Sequence, residues 1–117
     1  MKVAVIGSRG LNVDIAKYIP KNADAILSGG AEGIDSLAEA YADKHRIRKL
    51  IIRPDYVRYG KRAPLIRNKS IVNKSDVVIA VWDGISRGTK FTVDYSKSIR
   101  KPTYVFVISD KKDSIKA

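Results

Sequence analysis

The sequence contains no cysteine and a single histidine among its 117 residues. The first absence excludes disulfides, cysteine-ligated zinc and thiol nucleophiles, and the second makes a histidine-rich metal site or a Ser/His relay unattractive, so no metal is expected. Acidic residues are scarce as well. Against 23 Lys and Arg stand 12 Asp and Glu, a net charge of +11 that will draw polyanions, whether nucleic acid or phosphorylated small molecules. Long hydrophobic runs are missing. The longest, Val77 to Trp82, falls far short of a membrane span, and the chain opens on a strand-like run instead of a basic-then-apolar export signal. A cytoplasmic protein with no membrane partner is the expectation.

What is present reads as one globular domain. The 44% hydrophobic content is ordinary and the length suffices for a real core, here expected over residues 2–109 with a short polar tail over 110–117. Val3–Ile6, Ala25–Leu27, Leu50–Ile52, Val77–Val81 and Tyr104–Ile108 are continuous apolar runs bounded by Gly, Asp, Pro or Ser. Unbroken runs suit strands buried on both faces, hence a parallel sheet. Between them Ile34, Leu37, Ala38, Tyr41 and Ala42 share one helical face, as do Phe91, Tyr95 and Ile99. A first helix is predicted to be capped by Asn12 and closed by Pro20. The order β-α-β-α-β-α-β-α-β predicts a doubly wound, mainly parallel, five-stranded Rossmann-like α/β sheet. Ligands of such sheets sit beyond the carboxyl ends of the strands.

That edge should collect the loops Gly7–Gly10, Ser28–Asp35, Arg53–Arg62 and Trp82–Thr89, and with them Arg9, Arg53, Arg58, Lys61, Arg62, Arg67 and Arg87. Glycine turns that open helices are the usual way to cradle phosphate, because the bare backbone approaches an anion closely and the first helical turn offers unpaired N–H groups. On this reading Gly29, Gly30 and Gly33 with one helix N-terminus take one phosphate, and Gly88 and Thr89 with another take a second. Ser8, Ser28 and Ser86 offer hydroxyls, Gly7, Ser8 and Arg9 border the nucleotide, and Arg67 and Asn68 supply charge and hydrogen bonds. Asp35 reads equally as a helix-start residue or a contact to ribose or base. Tyr56, Tyr59 and Trp82 are candidates for stacking on a base, Trp82 more readily for the core. Gly7 and Gly10 lack the further glycine of the dinucleotide fingerprint, since Val13 stands there, and no Lys-Ser/Thr pair follows a glycine loop. No cofactor is evident.

Taken in order, Gly7-Ser8-Arg9, Ser28-Gly29-Gly30-Ala31-Glu32-Gly33-Ile34-Asp35, Arg67-Asn68-Lys69 and Ser86-Arg87-Gly88-Thr89 leading to Thr92 resemble the SLOG superfamily over nearly the whole chain. That Rossmann-like group joins the DNA-processing protein A family, the LONELY GUY phosphoribohydrolases and small YspA-like proteins, and the small single-domain YspA-like branch is the nearest likeness. The resemblance implies a domain that binds a nucleotide or a nucleotide derivative of the ADP-ribose, NAD or nucleoside monophosphate class, as a sensor or a processing module. It also implies homodimers or larger assemblies. Two alternatives come with it. A phosphoribohydrolase-like enzyme would cleave an N-glycosidic bond; Arg67 matches that family's second catalytic residue, but Thr92 holds the position of its catalytic glutamate, which leaves Asp94, Asp83 and Asp35 as candidate carboxylates. A DNA-processing-like protein would bind single-stranded DNA on its basic surface, although Glu32 replaces that family's arginine.

Overall fold

The computed structural model describes residues 1–108, so the polar tail expected over 110–117 lies outside the described residues. The apolar runs form β1 (Lys2–Gly7), β2 (Ala25–Ser28), β3 (Arg48–Ile51), β4 (Val77–Trp82) and β5 (Thr103–Val107). They pair in parallel in the order β3-β2-β1-β4-β5. Val3 pairs with both Ile26 and Val77, which sets the register of the centre. The helices are α1 (Ile34–Lys44), the single turn α2 (Tyr56–Tyr59), α3 (Ala63–Lys74) and α4 (Arg87–Ser98).

Successive strand residues point to opposite faces, so each strand feeds two cores. On one face Val3, Val5, Ile26, Val77, Ile79 and Val81 meet Ile34, Ala38 and Ala42 of α1. On the other, Ala4, Ile6, Leu27, Val78 and Ala80 meet Ile71 and Val72 of α3 and Val93 of α4. Each large side chain so buried contributes about 1.5–3 kcal/mol. The sheet is therefore covered on both sides, as the doubly wound reading requires.

Three sequence expectations are corrected. The first crossover is not an α-helix: Leu11, Ile15 and Ile19 do reach the core, but they ride on a segment whose only helical part is a 3-10 turn at Ile15–Lys17, preceded by Asp14 and not capped by Asn12. The span between Gly10 and Pro20 is too short to repay helix nucleation, and Asn12, Val13 and Asp14 are weak helix formers. The two outer strands are not buried on both faces. β3 is an edge on which Leu50 is 47% exposed, and β5 is the opposite edge, with Tyr104 56% exposed. Finally, α4 turns Thr89, Thr92, Val93 and Ser96 inward; of the expected face Tyr95 packs partly buried against the core, Lys69 of α3 lies over the Phe91 and Tyr95 rings, and Ile99 is exposed. Small hydroxyl residues can face the sheet because they find partners: Thr92 Oγ1 donates to the Gly88 carbonyl at 2.8 Å and Ser96 Oγ shares a hydrogen with Thr103 Oγ1 at 2.6 Å.

The strand order reverses between β1 and β4: the chain leaves β1 toward β2 on one side and leaves β4 toward β5 on the other. The loops leaving the carboxyl ends of these two strands diverge, and a crevice opens between them.

Candidate functional site at the strand-order reversal

A cavity of about 430 Å³ occupies that crevice. Its walls are Gly7 at the end of β1 and Ser8 and Arg9 after it, Gly29, Ala31 and Asp35 after β2, Arg67 and Asn68 of α3, and Asp83, Ser86, Gly88, Thr89 and Thr92 after β4; Ile6, Pro64, Leu65 and Ile71 make its apolar part. Three loops that are distant in sequence thus converge on one site.

Ser8 knits the walls together. It is buried, accepts the Asp83 N–H at 3.0 Å through Oγ, and lies 2.5 Å from Ser86 Oγ. Asp83 accepts through one oxygen from the Ile85 and Ser86 N–H groups and from Ser86 Oγ, each at 2.8 Å. Burial works against its charge, but these donors, with Ser8, stabilise the carboxylate and hold its pKa down at about 2. The Trp82 indole donates to the Ser86 carbonyl at 2.9 Å, so this ring braces the loop.

The two helix N-termini differ. At α1, the Ala31 N–H donates to Asp35 Oδ2 at 3.1 Å and the Ile34 N–H points to the Ser8 carbonyl at 3.4 Å. The protein's own carboxylate and carbonyl take the Ala31 and Ile34 N–H groups there, while those of Asp35 and Ser36 meet no acceptor among the described residues. Gly33, at φ +72°, is needed so that the Ser8–Arg9 backbone can cross the helix start: a Cβ there would lie 2.6 Å from the Ser8 carbonyl oxygen. At α4, by contrast, the N–H groups of Arg87, Gly88 and Thr89 meet no acceptor among the described residues. A Cβ on Gly88 would meet nothing within 4 Å. This end of α4 is open to an incoming anion.

Arg67 divides the crevice. Only 9% exposed, it donates from Nη1 to the Gly29 carbonyl at 2.5 Å and from Nε to Asn68 Oδ1 at 2.7 Å. Asn68 in turn donates to Thr92 Oγ1 at 2.9 Å, so the position that the resemblance equates with a catalytic glutamate holds a buried hydroxyl in a hydrogen-bonded circuit. Burial raises the pKa of Asp35 above its ordinary value, outweighing the Ala31 N–H and the nearby Arg67 charge. Burial likewise lowers that of Arg67, and Arg9 adds to the lowering, while Asp35 opposes it. On the far side of Arg67 lies a second cavity of about 320 Å³, bounded by Arg53, Pro54 and Tyr56.

Of the residues singled out from the sequence, Gly7, Ser8, Arg9, Gly29, Asp35, Arg67, Asn68, Ser86, Gly88 and Thr89 line the main cavity. Gly30 lines the second cavity instead. Ser28 is fully buried beneath the loop, with its Oγ 3.5 Å from the Gly30 nitrogen, and Gly33 lies under the Ser8–Arg9 backbone. Asp94 does not join them: it is on the outer face of α4, in an i,i+4 ion pair with Lys90 at 2.8 Å. Arg58, Lys61, Arg62 and Arg87 are exposed and line neither cavity. The apolar wall, Ile6, Pro64, Leu65 and Ile71, was not singled out, since such residues carry no chemical signature in sequence. Among the described residues no group of three or more His, Asp or Glu is placed to hold a metal, and no helix is long and apolar enough to cross a membrane.

No protein-family model and no curated protein matches the chain. A solved structure does: the X-ray structure of DNA processing protein A (DprA) from Streptococcus pneumoniae, with a TM-score of 0.71 at 22% identity. This chain shares its fold with DNA processing protein A. The match covers 89% of this chain and 49% of that one, so the chain spans about half the length of DNA processing protein A. At this identity the likeness is one of fold, the Rossmann-like frame.

Proposed function

We propose that the crevice binds a phosphorylated, nucleotide-derived ligand of the nucleoside monophosphate, ADP-ribose or NAD class, and that the protein is a binding or sensing module. The open N-terminus of α4 carries this reading. It presents the unpaired Arg87, Gly88 and Thr89 N–H groups beside a glycine with space above it, at the edge of a cavity whose apolar wall suits a base or sugar. A hydrolase would need a carboxylate free to act on the sugar or its attacking water. Thr92 is engaged with Asn68 and Gly88, Asp83 is pinned by its donors, Asp35 holds the Ala31 N–H, and Asp94 faces outward, which favours binding over turnover.

The test is a thermal-shift screen at physiological salt against AMP, ADP, ADP-ribose, NAD, cyclic nucleotides and a short oligothymidylate. A ligand at a hundred times its dissociation constant adds roughly 2.7 kcal/mol, worth several degrees in a domain of this size. The shift should vanish in Gly88→Asp, which keeps a good helix start but sets a carboxylate where the phosphate belongs. No shift with any nucleotide would overturn the reading. The likeness to DNA processing protein A and the net charge of +11 favour one second reading, single-stranded DNA binding. It predicts oligothymidylate affinity that falls steeply with salt and depends on several basic residues.

A further inference from the structure

The second cavity is distinctive in its charge. Arg9, Arg53 and Arg67 line it, and none of its lining residues is acidic. Neither Arg9 nor Arg53 pairs with a carboxylate among the described residues; Arg53 Nη1 donates instead to the Gly30 carbonyl at 3.2 Å, which holds the guanidinium over the loop. Arg67 is more than nine-tenths buried, with Nη1 and Nε committed to Gly29 and Asn68. Its Nη2 makes no hydrogen bond with any described residue. Since no buried side-chain nitrogen or oxygen is left unpaired among them, that nitrogen keeps solvent access, on a residue that lines both cavities. Asp35 offsets part of the Arg67 charge from the main cavity, but Arg9 and Arg53 bring two further charges with no carboxylate partner, and an anion relieves their repulsion while accepting from forks built for phosphate. The exposed Tyr56 ring stands at the border of the same cavity and offers a face for stacking. At about 320 Å³ the space exceeds what a bare phosphate needs and is at the lower end of small-molecule sites.

We propose that this cavity is a second phosphate subsite, so that the ligand is a nucleotide bearing two phosphoryl groups, one at the open start of α4 and the other beyond Arg67 among Arg9, Arg53 and Tyr56. The inference rests on the nucleotide reading of the main cavity. A free nucleoside bisphosphate and a strand of nucleic acid both carry this chemistry.

The experiment measures dissociation constants by calorimetry at physiological salt for AMP, adenosine 3′,5′-bisphosphate and a 5′-phosphorylated oligothymidylate. The proteins compared are the wild type, Arg53→Gln, Tyr56→Ala and Lys44→Gln, the last removing an equal charge from the far end of α1. In the wild type the bisphosphate should bind at least about tenfold more tightly than AMP, the yield of one hydrogen bond to a charged group. That ratio should collapse toward one in Arg53→Gln, shrink in Tyr56→Ala and persist in Lys44→Gln. An Arg53-dependent gain confined to the oligothymidylate would assign the second phosphate to a strand. If AMP binds and neither bisphosphorylated probe gains, or if Lys44→Gln lowers the ratio as much as Arg53→Gln, the subsite is refuted while the nucleotide reading stands. If nothing binds, both fall.

Discussion

The guanidinium of Arg67, on α3, donates to the main-chain carbonyl of Gly29, in the loop after β2, at 2.5 Å, and so joins two segments 38 residues apart. A Cβ on Gly29 would stand 2.7 Å from Arg67 Cζ and 3.0 Å from Asp35 Oδ2, so the missing side chain is what lets this contact form. Gly29→Ala should cost about 1–3 kcal/mol, because the overlap is with the movable end of a side chain, and should weaken nucleotide binding by displacing Arg67. Gly33→Ala should cost more, about 3 kcal/mol or above, since its Cβ would strike the Arg9 and Ser8 backbone at a φ that only glycine adopts readily. Urea unfolding of the two variants tests the order, which fails if Gly33→Ala is the milder.

Gly88 offers the opposite dissociation. In the first turn of α4 with no atom within 4 Å of a Cβ, it is free to accept one, and Gly88→Ala should raise stability by up to about 1 kcal/mol. The same methyl crowds the approach of a phosphate to the helix end. Stability up and nucleotide affinity down in one variant, by thermal melting and calorimetry, is the expected pair; unchanged affinity would move the phosphate elsewhere.

The two cavity carboxylates act oppositely on the pH dependence of stability. Asp83 titrates at about 2 in the folded protein against 3.8 for an ordinary aspartate, so its contribution is present above pH 3.8 and is lost as pH falls through about 2. The folded-state pKa of Asp35 is raised above 3.8, so the folded state binds the proton more tightly and stability declines as pH rises from 3.8 through the folded value. Asp35→Asn retains an acceptor for the Ala31 N–H and should gain on the wild type as pH increases across that upper window. Asp83→Asn should lose the share of the dependence below pH 3.8 that Asp83 supplies. Stability curves from chemical denaturation at stepped pH distinguish the two, and an Asp35→Asn profile parallel to the wild type above pH 3.8 would contradict the burial argument.

Thr92→Val keeps the shape of a fully buried residue but removes the hydroxyl that links Asn68 Nδ2 to the Gly88 carbonyl. Leaving these polar groups unpaired should cost about 1–3 kcal/mol. The wild type should release no free adenine from AMP. Release of the base, if detected by chromatography, would restore the hydrolase reading and place the reacting carboxylate among Asp35 and Asp83.

The strands, their parallel pairing and the edge on which the loops gather were legible in the chain, because unbroken apolar runs alternating with helical periodicity admit few other folds. That Gly7, Ser8, Gly29, Gly88 and Thr89 would line the crevice was legible for a related reason, since ligands of such sheets sit beyond the carboxyl ends of the strands, whereas the loop cations Arg58, Lys61, Arg62 and Arg87 line neither cavity. Other features depended on neighbours supplied from afar. How the 11–20 segment seats Leu11, Ile15 and Ile19 in the core with a single 3-10 turn was settled by the sheet face and α1 against which they pack. The inward face of α4 was settled by α3, whose Lys69 and Asn73 engage Phe91 and Tyr95 and leave the small hydroxyl residues to face the sheet. The start of α1 reads in sequence much like the start of α4, yet the Ser8 carbonyl takes the first N–H group of α1 and Asp35 takes that of Ala31 beside it, while none of the first three N–H groups of α4 meets an acceptor among the described residues. Periodicity and residue type are local properties of the chain and so determined the frame, whereas which hydrogen-bonding groups remain free is a sum over groups brought together by folding, and only the tertiary structure decided it.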